Sequence, residues 1–207
     1  MMSELIPRFE FRTFAQTFGL VAEKIRRYSA CHDIGESAEQ YLVSADVEDQ
    51  NVKVRDGRLE IKRLVEQRDR LERWEPVAGE AFPVAREFLR ATLFPALHLR
   101  EAKLGRAQYS RNDLLDAVVW PHQDVWQACV CKRRFRFAID NCATEIDELL
   151  INGAAICSVA VESEDAGVVW AVIDKLGLTE YENINYPRAI RRIMGLEPLP
   201  NEDSYYG

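Results

Sequence analysis

In several short runs of this chain Arg, Lys, Glu and Asp occupy every second position, with apolar residues between them. That spacing puts the charged groups of each run on one face of a β-strand. Phe9 and Phe11 alternate with Arg8, Glu10 and Arg12; Val52 and Val54 with Lys53 and Arg55; Leu59 and Ile61 with Glu60 and Lys62. Further on, Phe135, Phe137 and Ile139 alternate with Arg134, Arg136 and Asp140, and Val159 and Val161 with Ala160, Glu162 and Glu164. A strand face that only meets water usually mixes Ser, Thr, Gln and Lys. Charged groups crowded this densely are costly unless something shared neutralises them. A phosphate-rich anion would do so, gripped by the planar fork of Arg and the point charge of Lys. The carboxylates would suit Mg²⁺ or Mn²⁺, hard cations that prefer oxygen ligands and bridge to phosphate. The competing reading is a sheet whose charged face is simply wet.

The elements needed to hold these runs follow from turns and helical spacing. Asp56-Gly57 and Asn152-Gly153 are two-residue hairpin signals, since both central residues of a type I′ turn need positive φ. Apolar residues recur at helical spacing over 13–28 and 83–104, with Pro95 expected to kink or split the second. A helix is predicted from Glu164 to Leu176, stopped by Gly177, and another from Pro187 to Met194, stopped by Gly195. The tail 198–207 reads as loose. Trp120 and Trp126, with Phe82, Phe88 and Phe94, are expected to pack in the core, and Arg191 and Arg192 to lie on a helix surface.

Composition narrows the classes. With 207 residues, 47% of them hydrophobic, the chain can bury one substantial core, and a single domain over 1–207 is expected, with a helix-rich segment at about 78–128. The net charge of −7 makes nucleic acid an unlikely partner and disfavours acidic membranes, so any anion site must be a local basic concentration. No window offers the roughly 18 apolar residues of a membrane span, and no leader pattern opens the chain; a soluble cytoplasmic protein is predicted. Five cysteines at irregular spacings, Cys31, Cys129, Cys131, Cys142 and Cys157, suit reduced thiols better than a disulfide framework or a zinc site. His32, His98 and His122 have no ligand spacing, and neither a phosphate loop nor G-x-G-x-x-G occurs.

Taken in order, the charged runs resemble the CYTH, or triphosphate tunnel metalloenzyme, superfamily, which includes inorganic triphosphatases, thiamine triphosphatases and class IV adenylate cyclases. Arg8-Phe9-Glu10-Phe11-Arg12 resembles its opening E-x-E-x-K. Lys53-Val54-Arg55 and then Lys62 match its middle basic residues, and Arg73-Trp74-Glu75-Pro76-Val77 its R-x-E-x-E. Lys132-Arg133-Arg134 matches the later K-x-R, Asp140 a following Asp, and Glu162-Ser163-Glu164 the closing E-x-E; Tyr186 is similar to a late Tyr. The resemblance covers roughly residues 8–190 and implies an α+β fold, an antiparallel β-barrel or tunnel with flanking helices. Within it Arg12, Lys53, Arg55, Lys62, Arg73, Lys132, Arg134 and Arg136 would bind phosphate. Glu10, Glu75, Asp140, Glu162 and Glu164 would hold Mg²⁺ or Mn²⁺, with Glu162, Glu164 and Lys62 nearest the chemistry. Arg8 and Val77 stand where the family has Glu, which bears on catalysis more than on binding. The implied function is metal-dependent hydrolysis of a small triphosphate compound. The alternatives are a cyclase acting on ATP and a non-catalytic polyphosphate or nucleotide-binding module. A homodimer is a further expectation from similar proteins.

Overall fold

Strand alternation is used here with its apolar side turned outward. In β1 (Phe9–Ala15) Phe9 and Phe11 are buried against helices, while Glu10 and Arg12 face the other way. The computed structural model describes residues 7–100 and 103–197, so the tail 198–207 lies outside the described residues. In chain order β1 is followed by α1 (Gly19–Tyr28), β2 (Asp33–Ser44), β3 (Gln50–Arg55), β4 (Arg58–Arg68) and β5 (Leu71–Ala81). A helical segment comes next: β6 (Val84–Ala85), α2 (Arg86–Phe88), a π-helical turn (Leu89–Leu93), α3 (Phe94–Ala96), β7 (Gln108–Tyr109), α4 (Arg111–Leu114) and a second π-helical turn (Leu115–Val119). The chain continues through β8 (Val125–Ile139), β9 (Cys142–Ile151), β10 (Ala154–Ser163), α5 (Ala166–Leu176) and α6 (Tyr186–Ile193).

Eight of these strands close into an antiparallel barrel in the order β1-β10-β9-β8-β2-β3-β4-β5, giving an α+β fold of barrel and flanking helices. Helices α1 and α5 cover the outer face of β1, β10, β9 and β8, and the segment between β5 and β8 covers β3 and β4. The third apolar cluster lies inside one end of the barrel, where Tyr41, Val43, Leu149 and Ile151 meet Tyr186 and Ile190 of α6. That helix floors the barrel and leaves the opposite mouth open to the charged interior. No helix among the described residues is long and apolar enough to cross a membrane.

Hairpin turns set the register. Asp56-Gly57 (φ 49° and 70°) and Asn152-Gly153 (48° and 88°) adopt the positive-φ pairs that their residue types predict. Asp69-Arg70 and Asp140-Asn141 make the same turn with less obvious residues. The seam between β1 and β5 is short, pairing only Phe9 with Arg73 and Glu10 with Glu72. Beyond it the segment before α6 fills the gap: Ile184 N–H donates to Arg12 O at 2.7 Å, and Arg12 N–H to Asn183 Oδ1 at 2.6 Å.

Several expectations are corrected. The helix predicted over 13–28 starts only at Gly19, because Thr13–Ala15 continue β1 along β10 and Phe14 packs on the barrel floor rather than on a helix face. Over 83–104 regular helical turns end at Ala96; Pro95, which has no N–H to extend the ladder, falls in the last short turn. Trp120 is 69% exposed, not core. Arg191 is buried rather than on a helix surface, since its guanidinium donates to Val47 O at 2.6 Å and ties α6 to the β2–β3 loop. Helix α5 starts at Ala166, capped by Asp165, whose side chain accepts from Gly167 N–H at 2.7 Å, and it stops at Gly177 with φ 78°.

Ile173 of α5, fully enclosed against the outer barrel face, should lose about 2–4 kcal/mol on truncation to Ala. Leu20→Ala in α1, at a side chain 82% exposed, should cost less than about 0.5 kcal/mol. Urea denaturation of both variants checks that helices pack on the outside of this barrel.

Candidate functional site

Residues directly opposite in an antiparallel pair share a face, so the register assembles the interior. Glu10 faces Glu162, Ser158 faces Asp147, Ala160 faces Glu145, and Asp147 and Glu145 in turn face Arg134 and Arg136. On the other side Tyr41 faces Lys53, Lys53 faces Glu60, and Asn51 faces Lys62. These side chains enclose a cavity of about 230 Å³, lined by Glu10, Arg12, Lys53, Lys132, Arg134 and Glu162 among others.

Two buried carboxylates organise the cations. Asp147, with no exposed surface, accepts from Arg12 Nη1 at 3.0 Å, Arg134 Nε at 3.0 Å, Ser158 Oγ at 3.2 Å and the Tyr186 hydroxyl at 2.7 Å. Burial works against its ionisation, but the charges of Arg12, Arg134 and Lys132 outweigh it and hold the carboxyl down at about 2. Glu39 accepts from the Tyr41 hydroxyl at 2.9 Å, Lys53 Nζ at 3.1 Å and Ser37 Oγ at 3.3 Å, with Lys132 at 3.6 Å and Arg55 at 3.8 Å. Burial is again overcome, here by Lys132 and Lys53, and Glu39 is lowered to about 2. The phenol rings of the two donor tyrosines stack at 5.7 Å, which joins the two hubs across the barrel floor.

Charge is segregated across the cavity. On the side of β2, β3 and the inner end of β8, Lys53, Arg55 and Lys132 share Glu39 and Glu60; Lys62 of β4 has no ion pair among the described residues, and its charge acts on Glu10 and Glu162. On the side of β1, β10 and β9, Glu10, Glu145, Asp147 and Glu162 share Arg12 and Arg134. Arg12 lies among the three glutamates, 2.5 Å from Glu10, 3.4 Å from Glu145 and 3.8 Å from Glu162. Burial, with Glu10 and Glu145 nearby, pushes the Glu162 carboxyl up to about 7. Burial also works against Glu10, but Arg12 keeps it lowered. This wall is short of positive charge, and its oxygen donors suit a divalent cation in chemistry. As the side chains stand, no three His, Cys, Asp or Glu among the described residues converge closely enough to hold one ion.

The residues expected to bind ligand do not all meet. Arg12, Lys53, Arg55, Lys62, Lys132, Arg134, Glu10 and Glu162 line the cavity. Arg136 sits at the mouth, paired with Asp33 and 3.6 Å from Glu145, and exposed Glu164 lies just past the end of β10 in the same mouth groove of about 550 Å³. Arg73 and Glu75 are corrected: β5 turns Glu72 and Trp74 inward. Arg73 therefore faces outward, 3.1 Å from Glu66 and over the Phe9 ring, and Glu75 pairs opposite Arg63. Asp140 is also corrected. It is the first residue of the β8–β9 turn and accepts from Lys175 Nζ at 2.7 Å, outside the barrel. Sequence reasoning missed Glu39, Glu145 and Asp147. The alternation Glu145-Ile146-Asp147 carried the signal, counting back from the Asn152-Gly153 turn.

Comparison with known proteins is limited to fold. No family model matches, and no curated protein matches. Among solved structures, the PH1012 protein of Pyrococcus horikoshii OT3 is 16% identical at a TM-score of 0.48, over 86% of this chain and 94% of that one. A candidate adenylyl cyclase from Hippeastrum described as having a dominant triphosphatase activity is 12% identical at 0.48, over 94% and 99%. A candidate adenylate cyclase from Bacillus halodurans is 11% identical at 0.46, over 86% and 93%. The closed antiparallel barrel with inward charges is the architecture that the resemblance to the tunnel superfamily implies.

Because Glu162 keeps its proton to about pH 7 in the fold against 4.5 ordinarily, stability should fall as pH rises from about 4.5 through 7. Glu162→Gln should therefore stabilise the protein by about 1–3 kcal/mol at pH 8 and change little at pH 4. Asp147 has the opposite sign: its contribution is present above pH 3.8 and is lost as pH falls through about 2. Urea titrations across pH 2–8 read both limbs.

Proposed function

We propose that this chain binds a short polyphosphate group together with Mg²⁺ or Mn²⁺ inside the barrel and hydrolyses a terminal phosphoanhydride, acting as a metal-dependent triphosphatase. The observation that carries this reading is the segregation of charge across one small cavity. On one wall Lys53, Arg55 and Lys132 share two carboxylates, on the other four carboxylates share two arginines, and Lys62 lies between them with its charge reaching Glu10 and Glu162. A bare anion would meet repulsion from one side and a bare cation from the other, whereas a phosphate–cation pair suits both.

In this reading Lys53, Arg55, Lys62 and Lys132 take phosphate oxygens, and Arg134 reaches the same group from β8. The charges of Lys53, Arg55, Lys132 and Arg134 are fixed in place by Glu39 and Asp147, so they need no reorganisation as negative charge grows on the transferred phosphoryl group. Glu10, Glu145 and Glu162 would hold the cation once Arg12 yields its place among them. When bound, that ion would polarise the phosphoryl oxygens. The tyrosine floor keeps water out from the α6 end. Glu164 and Arg136, at the mouth, would meet whatever the phosphates are attached to.

The cavity itself, about 230 Å³, is smaller than the roughly 300–1,000 Å³ pockets of drug-sized ligands. It suits the phosphate end of a ligand, and an organic carrier would occupy the mouth groove of about 550 Å³. A second reading, a non-catalytic polyphosphate-binding module, is favoured by one observation: Arg12 already neutralises the carboxylates that the cation needs.

Phosphate release from tripolyphosphate, ATP and thiamine triphosphate with Mg²⁺ or Mn²⁺, beside a thermal-shift titration of the same ligands, separates these. Release with a shift is expected. A shift without release supports the binding module, cyclic nucleotide plus pyrophosphate from ATP would mean a cyclase, and neither binding nor release sinks the reading. Lys53→Ala should weaken tripolyphosphate binding by about 10–100-fold, the worth of one charge-assisted contact. Arg73→Ala, on the outer face, should leave it unchanged.

A further inference from the structure

Lys132 is the deepest cation of the positive wall, 5% exposed and lying 4.0 Å from the centre of the Tyr186 ring. Its one ion pair among the described residues is with Glu39, at 3.6 Å. That same carboxylate is gripped from both ends: Oε2 accepts from the Tyr41 hydroxyl and Lys53, and Oε1 accepts from Ser37 and lies 3.8 Å from Arg55. Three cations from two strands thus converge on one buried anion whose orientation is set by a tyrosine and a serine. Sequence reasoning assigned Glu39 nothing, and the proposed chemistry gives it no contact with ligand.

We propose that Glu39 is a positioning residue for the bound anion, gathering Lys132, Lys53 and Arg55 into one fan and lending Lys132 the charge that lets it stay an ammonium in a buried place. This rests on the anion-binding reading of the cavity. The groups facing Lys132 are Glu39 and Tyr41 from β2, Lys53 from β3, Asp147 from β9, Arg134 on its own strand, Arg12 from β1 and Tyr186 from α6. Burial pushes the Lys132 ammonium down to about 7; Glu39 is the strongest group opposing that fall, then Asp147, while Arg134 and Arg12 add to it. Removing the charge of Glu39 leaves burial and the arginines with less to oppose them. Gln at position 39 keeps an oxygen for the Tyr41 hydroxyl, so the change removes the charge with little change of shape.

The test has two readouts. First, the Lys132 titration is followed by ¹³Cε NMR in the wild type and in Glu39→Gln, assigned with Lys132→Arg; the midpoint should fall by about one pH unit or more in the variant. Second, tripolyphosphate affinity of the two proteins is compared at the same pH by calorimetry, which cancels titration of the ligand. The ratio should stay within about threefold at pH 6 and reach about tenfold in favour of wild type at pH 8. In a Lys132→Arg background, where the cation cannot titrate, that pH dependence of the ratio should vanish. An unchanged Lys132 midpoint, or the same loss of affinity at both pH values, overturns the proposal. Failure of the wild type to bind tripolyphosphate would overturn the anion-binding reading alone, and the NMR midpoint would still decide whether Glu39 holds the charge of Lys132.

Discussion

Asp147 has no exposed surface, yet four donors from four different elements end on it: Arg12 of β1, Arg134 of β8, Ser158 of β10 and Tyr186 of α6. A carboxylate so enclosed can stay ionised only if it is paired and fully hydrogen-bonded, and the same holds for the arginines around it. The interior therefore works as one neutralised network rather than as a row of independent charges. Removing any one partner strands the others. Glu39 repeats the arrangement on the facing wall with Lys53, Lys132 and Arg55. The rest of the molecule can be understood as what is needed to keep these two carboxylates out of bulk water but open at one mouth.

The apolar half of each strand must then face outward, so the hydrophobic core lies around the barrel rather than within it. Helices α1 and α5 cover one side and the segment between β5 and β8 the other. The floor is the exception. There Tyr41 and Tyr186 each give a hydroxyl to a hub and a ring face to the other, and Phe14 meets Tyr186 edge-on at 5.2 Å. Tyr186 is the first residue of α6, and Asn185, which caps that helix, also donates to Glu72 at 3.1 Å. Docking of one short helix thus closes the β1–β5 seam, floors the barrel and orients Asp147 together.

How much of this was legible depended on where each strand's apolar face went. The runs around Phe9–Arg12, Val52–Lys62 and Phe135–Ile139 announce strands because their outward residues are large and apolar, as helix-covered positions must be. Strand β2 was missed because the outward side of its first half, with Glu36 and Ala38, is exposed and so carries no hydrophobic alternation. Strand β5 was obscured by Pro76, Gly79 and bulges against β4, and that irregularity also hid which of its residues turn inward: Glu72 and Trp74, not Arg73 and Glu75. Asp140 has the right spacing to continue β8, but it belongs to a turn whose positive φ ends the strand one residue earlier. The charged set was thus readable as a class, while its hubs were not, because Glu39 and Asp147 differ from any other strand carboxylate only in what surrounds them.

The division of charge across the cavity narrows what this barrel can hold. A site made only for anions would gain nothing from Glu10, Glu145 and Glu162 crowded at one wall, where burial and mutual repulsion keep a proton on Glu162 near neutral pH. A site made only for a cation would not place Lys53, Arg55 and Lys132 opposite. Arg12 is the balancing element: it belongs to the Asp147 hub yet extends into the glutamate cluster, standing in for positive charge that a bound cation would bring. On the proposed reading, the choice between catalysis and binding alone reduces to a competition at one place between a tethered guanidinium and a divalent ion.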